Sequence, residues 1–315
     1  MRENNRITRY AVMVLAAAVC LINGGLAQAN GGIAQAAPVP DPPAVNASAS
    51  QSAASQGATS QGATSALVTE AALRGTQTFQ GLGFDTCMTP SATTMRAWHG
   101  TSPYSAVGVY FGGRARACPV QPNLTPAWAK TVSDMGWSLL PIYVGSQSPC
   151  VMSAKKAAYT INPLDPEKDG VNEARDAAQR AHDLGLAARS ALYLDMEAYD
   201  IRTAACTAPT LAFVQAWDRE VRRLDYVPGF YSSADSGIEH MEQARTAGAP
   251  DLPSVLWYAR WNAQPTLTAE PALPDSAWQP HSRIHQYEGN VTEHYGGESL
   301  TIDRDILDAP VGIVG

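Results

Sequence analysis

From residue 81 to residue 307 the chain alternates short apolar runs with helix-type stretches, and nothing else in it restricts the fold as much. Runs rich in aliphatic and aromatic residues predict strands over 81–87, 106–112, 138–145, 190–199, 227–232, 254–261, 282–287 and 300–307. Helices are predicted over 91–98, 126–135, 169–184, 209–224 and 236–247, with Thr125-Pro126 and Ala208-Pro209 as starts. Eight strands with interposed helices are the pattern of a single (β/α)8 TIM-type barrel, α/β in class. A doubly wound sheet would need fewer strands and usually a Gly-rich phosphate loop, which Gly81-Leu82-Gly83 does not make. The later connections carry weaker helical signals. Residues 262–280 hold four prolines and read as a long loop.

The segment before the alternation is of another kind. Residues 1–29 read as a signal peptide: Arg2, Arg6 and Arg9, an apolar run over 11–22, then a small-x-small site at Ala27-Gln28-Ala29. The run is short for a bilayer span, so no stable membrane insertion is expected after cleavage. There is no adjacent Arg-Arg pair, which favours the general secretory route over the twin-arginine route. Residues 30–76 are Ala, Ser, Gln, Gly and Pro with almost no charge, and Ser55-Gln56-Gly57-Ala58-Thr59 repeats at once as Ser60-Gln61-Gly62-Ala63-Thr64. Too little apolar surface is available there to offset chain entropy, so a disordered linker is expected. Residues 77–315 are left for the barrel, expected to be a secreted or cell-wall-associated monomer. The net charge of −7 argues against nucleic-acid binding.

Four cysteines remain after cleavage: Cys87, Cys118, Cys150 and Cys206. An even count in an exported chain favours two disulfides, and the lack of a C-x-x-C pair argues against a zinc site. The four follow strands one to four in order. That order permits Cys87–Cys118 and Cys150–Cys206, while all three pairings stay open. No histidine pair has metal-ligand spacing, and Ser232-Ser233 lacks a nucleophile elbow, so no metal and no cofactor are expected.

Barrel sites lie at the C-terminal ends of strands. Strand four carries Asp195 and Glu197 two residues apart, a spacing that puts both carboxylates on one face with Tyr199. Like charges so close raise at least one pKa, which lets one carboxyl keep a proton while its neighbour is ionised. Asp85 ends strand one, and Asp303 and Asp305 lie on strand eight. Tyr110, Tyr231, Trp257, Tyr258, Gln286 and Tyr287 stand between these acids. Aromatic faces suit sugar rings and carboxylates suit hydroxyls, so the set is expected to line a carbohydrate cleft.

Gly83-Phe84-Asp85, Asp195-x-Glu197 and Gln286-Tyr287 before Ile302-Asp303 resemble the Chalaropsis-type lysozymes, glycoside hydrolase family 25. Gly83-Phe84-Asp85-Thr86-Cys87 with Pro90 and Trp98, then Gly108-Val109-Tyr110-Phe111-Gly112-Gly113, resemble more closely a related glycoside-hydrolase-like domain of exported actinobacterial proteins. The resemblance runs from about residue 81 to 308. It implies a barrel outside the cytoplasm that cleaves or binds cell-wall polysaccharide, with peptidoglycan the first expectation. It implies Glu197 as general acid, and Asp195 as the group that orients the N-acetyl substituent or stabilises charge. Asp85 and Asp303 match the remaining acids, and net retention would follow. One departure stands out: the lysozymes usually carry Asp-x-Asn on strand eight, where this chain has Asp303-Arg304-Asp305. A glycan-binding module or an envelope interaction protein built on the same barrel is the alternative.

Overall fold

The computed structural model describes residues 73–315. The expected signal peptide, and the expected linker up to residue 72, lie outside the described residues. Eight strands close into a barrel in sequence order: β1 Thr78–Asp85, β2 Ala106–Gly112, β3 Ser138–Tyr143, β4 Ala191–Asp195, β5 Val227–Ser233, β6 Val255–Ala259, β7 Arg283–Tyr295 and β8 Glu298–Pro310. Helices α1 Ala92–Trp98, α2 Pro126–Asp134, α3 Pro166–Asp183 and α4 Ala204–Arg223 follow the first four strands. After β5 a π-turn, Ala234–Ile238, leads into α5 Glu239–Thr246. Among the described residues no helix is long and apolar enough to cross a membrane.

Strand alternation divides the apolar residues into two layers. Leu140, Ile142, Tyr193, Val255, Trp257 and Ile284 fill the barrel interior. Phe84, Val107, Leu192, Leu194, Phe230 and Leu256 face outward and pack with Ala174, Ala181, Phe213 and Trp217 of the helices. Thr125 caps α2 as its sequence predicts, its hydroxyl accepting from the Trp128 N–H at 3.1 Å. Helix α4 begins one turn before the expected Pro209, because Thr203 carbonyl bonds and the Cys206 disulfide anchor an earlier turn.

Strand eight departs from an ideal (β/α)8 repeat. β1 to β7 pair in parallel, but β8 runs antiparallel to both β7 and β1. The cause is local. Gly296 and Gly297, at φ of 57° and 84°, make a two-residue turn between the paired Tyr295 and Glu298, so β7 and β8 form a hairpin. Residues 260–282, between β6 and β7, contain no helix. The buried Arg283 guanidinium holds that loop instead, donating to the carbonyls of Leu267, Pro274 and Ala277.

Disulfides Cys87–Cys118 and Cys150–Cys206 settle the pairing and clamp neighbouring loops at the C-terminal face. Loops of 31 and 56 residues are closed. Replacing Cys150 and Cys206 together by Ser is expected to cost about 4 kcal/mol in the chain-entropy model. That is about 10 °C in the unfolding midpoint for a domain of this size, measured by thermal denaturation. An unchanged midpoint would mean that the hydrogen bonds between these loops suffice.

Candidate active site

The site begins with two strand ends and one strand middle. β1 ends at Asp85, β4 ends at Asp195, and β8, because it is reversed, delivers Asp303 and Asp305 from its centre. Asp303 stands directly opposite Asp85 in the ladder, and Asp305 opposite Gly83. Cross-strand neighbours lie about 5 Å apart, so two like charges there repel. Gly108 makes the seat for Asp85, since a Cβ at that position would meet the Asp85 Cβ at 2.5 Å.

Asp85 is buried and fully engaged. Tyr110 Oη donates to its Oδ1 at 2.7 Å and Gln286 Nε2 to its Oδ2 at 2.7 Å. Tyr231 Oη and Trp261 Nε1 each donate to Gln286 Oε1 at 3.0 Å, which turns the amide nitrogen toward Asp85. Burial, with the Asp303 charge second, pushes the Asp85 carboxyl up to about 7 despite those two donors. Asp305 accepts from Trp257 Nε1 at 2.9 Å, while its second oxygen has no hydrogen-bond partner among the described residues. Burial and then the Asp85 charge hold it well above the usual carboxylate range. Asp303 accepts from the Asn290 N–H at 2.6 Å and is raised mainly by burial.

β4 ends earlier than its sequence predicts, so Glu197 sits on the following loop rather than on the strand with Asp195. The buried Gln147, from the loop after β3, fastens the two together. Its Nε2 donates to the Asp195 carbonyl at 3.0 Å, and its Oε1 accepts from the Glu197 N–H at 2.8 Å. The Asp195 side chain is buried with Oδ1 unpartnered, and burial followed by the Glu197 charge pushes it up to about 8. The Glu197 side chain is 40% exposed, with Lys156 Nζ 3.7 Å from its Oε1. Lys156 itself is nearly buried and donates to the Ala115 carbonyl at 2.7 Å.

Asp85, Tyr110, Lys156, Asp195, Glu197 and Asp303 border one cavity of about 410 Å³, and the Cys87–Cys118 bridge forms part of its wall. Tyr231, Trp257, Gln286 and Asp305 form the hydrogen-bonded layer around Asp85 and beneath it. Three expected binding residues lie elsewhere. Tyr199 is in the layer behind the barrel, its hydroxyl 2.9 Å from His240 Nδ1. Tyr258 is in the same layer, bonded to the Thr266 carbonyl and stacked on His285. Tyr287 follows the inward Gln286 and so faces the other way, toward the outer side of β7 with His285.

Four residues of the site are not apparent from the sequence. Gln147 and Lys156 come from a loop with no motif, Lys156 as half of a Lys-Lys pair that reads as solvated surface. Asn290, at φ 58°, belongs to a Gly-Asn turn signal within β7. Trp261 is the last residue of the strand predicted over 254–261 and is the one that aromatic placement could have revealed.

A closed barrel whose C-terminal mouth gathers proton-holding carboxyls and tyrosines has the form of a glycoside-hydrolase-like domain. The chain belongs to the Rv2525c-like, glycoside hydrolase-like domain family, whose sequence model matches residues 96–307. That stretch includes Asp195, Glu197, Asp303 and Asp305, and Asp85 precedes it. No curated protein matches the chain. Among solved structures, an uncharacterized protein of B. stearothermophilus is 18% identical, covers 72% of this chain and 95% of its own, and has a TM-score of 0.49. The Tat-secreted protein Rv2525c of Mycobacterium tuberculosis, in complex with L-tartrate, is 16% identical over 73% of this chain and 96% of its own, with a TM-score of 0.49. The catalytic domain of endolysin ply40 from bacteriophage P40 of Listeria monocytogenes is 14% identical over 73% and 93%, with a TM-score of 0.43.

Proposed function

We propose that this chain is an exported glycosidase acting on cell-wall or other extracellular polysaccharide. Residues 1–29 serve as its export signal, 30–76 as its tether and 77–315 as its catalytic domain. The reading rests on one observation: Asp85, Asp195, Glu197 and Asp303 converge on a single cavity at the C-terminal mouth of the barrel. Asp195 and Glu197 work as a pair. Asp195, pushed up to about 8, stores a proton at neutral pH in a buried position. Glu197, open to the cavity, passes a proton to the leaving glycosidic oxygen. Asp85 and Asp303 then steady the oxocarbenium-like charge and position the sugar or the incoming water.

The Lys156 ammonium tempers the pH range that burial and the Glu197 charge set for Asp195. A proton donor loses activity as pH rises through its pKa, and a nearby cation lowers that pKa. Lys156 does this to Asp195. Lys156→Met is therefore expected to move the alkaline limb of the pH–activity profile upward by about one unit. A limb that stays in place would show that the amine does not act on the donor pair.

The same cation favours a second reading. Lys156 Nζ, 3.7 Å from Glu197 Oε1, occupies that carboxyl in an ion pair and competes with a glycosidic oxygen for it, which suits a glycan-binding module without turnover. Reducing-end release from purified peptidoglycan and a polysaccharide panel separates the two. Release supports the glycosidase. Binding to the same polymers without release overturns it in favour of the module.

A further inference from the structure

We propose that Trp261 is a stacking platform for a pyranose ring, forming a second sugar subsite beside the carboxylate cavity. The proposal rests on the glycan reading given above, and extends it from the reacting centre to the neighbouring length of chain.

Trp261 is 57% exposed, in a molecule whose other tryptophans lie almost wholly inside. An exposed indole is usually free to turn, but this one is mounted at two points. Its Nε1 donates to Gln286 Oε1 at 3.0 Å. Its ring lies flat against the β7 backbone at Gly289, where an added Cβ would meet the indole at 2.0 Å. Gly289 thus leaves room for the ring, and any side chain there would displace it. The mount holds the indole in one pose while over half of its surface stays open to solvent.

The platform adjoins the cavity. Gln286, which receives the indole N–H, donates to Asp85 at 2.7 Å, and Asn290, next to Gly289, borders the cavity. The preceding Arg260 is held by Asp235 and Glu270, so its charge is engaged there. A rigid aromatic surface beside hydrogen-bonding carboxyls suits the apolar C–H face of a pyranose whose hydroxyls point to the cavity. Ordering cost is low because the ring is already fixed.

The test uses the exported, disulfide-bonded protein with chitohexaose and cellohexaose as probes. Binding is followed by calorimetry for the wild type, Trp261→Ala and Trp261→Phe, with KM and kcat measured on any substrate turned over. We expect Trp261→Ala to weaken binding of the bound hexaose roughly tenfold and to raise KM more than it lowers kcat. Trp261→Phe keeps a flat ring but loses the N–H, and is expected to stay within about threefold of wild type. Equal losses in both variants would overturn the platform and assign Trp261 to holding Gln286. Wild-type affinity in Trp261→Ala would overturn the platform and leave the glycan reading standing. Failure of the wild type to bind either hexaose or any polymer of the panel would overturn both.

Discussion

Glu197→Gln is expected to lower glycan turnover by about a thousandfold, within the range that general acid catalysis contributes, and to leave the unfolding midpoint within about 2 °C of wild type. The two halves of this expectation have separate physical causes. The fold does not rest on the carboxylate. The loop is held through the Glu197 backbone N–H on Gln147, and the side chain is 40% exposed with one ion pair at 3.7 Å. Gln has nearly the same shape and can make the same backbone bond, but it has no proton to give. Reducing-end release and thermal unfolding, measured on the same preparations, check both halves. Activity within tenfold of wild type would remove Glu197 from the donor's role. A large loss of midpoint would show that the residue is structural.

Asp195→Asn is expected to raise stability at pH 8 and impair turnover at once. The Asp195 side chain is buried, and one of its oxygens has no hydrogen-bond partner among the described residues. In the unfolded chain it ionises near its ordinary pKa of about 4, whereas in the folded protein it is pushed up to about 8. Between those values the folded state holds the extra proton. Stability therefore falls as pH rises from about 4 to about 8, and is fully retained only below that window. Asn carries no such penalty. On the order of 5 kcal/mol should be recovered at pH 8 and almost none at pH 4, or about 15 °C in midpoint at the upper end. Thermal unfolding of both proteins across pH 4–9 measures this directly. Parallel curves would mean that Asp195 ionises in the folded protein as it does in the unfolded one. A substitution that stabilises the fold while disabling it marks a residue kept for chemistry.

Much of the architecture is legible in the sequence because strand signals are strong when both strand faces are buried. The eight runs are found where apolar residues are densest, and the order of the cysteines permits the observed pairs. The direction of β8 is not legible, since an alternating run reads the same either way and direction depends on the Gly296-Gly297 turn. The side-chain period was legible and decides more than residue type does. Trp257 and Tyr258 are adjacent, as are Gln286 and Tyr287, so only one of each pair can face the barrel interior. In each case the first does, and the second joins the outer layer or the outer strand face. Lys156 gives no signal, because its importance comes from where the loop after β3 places it.

The position of β8 also has a consequence in time. It is the final strand, yet it lies between β1 and β7 and supplies Asp303 opposite Asp85. A chain emerging from its N-terminus can pair β1 through β7 in order, but the ring stays open until the last strand arrives. Opening would also leave Asp85 without its cross-strand partner and the cavity without the wall formed by Thr301, Ile302 and Asp303. Any chemistry at this mouth therefore waits for the whole domain.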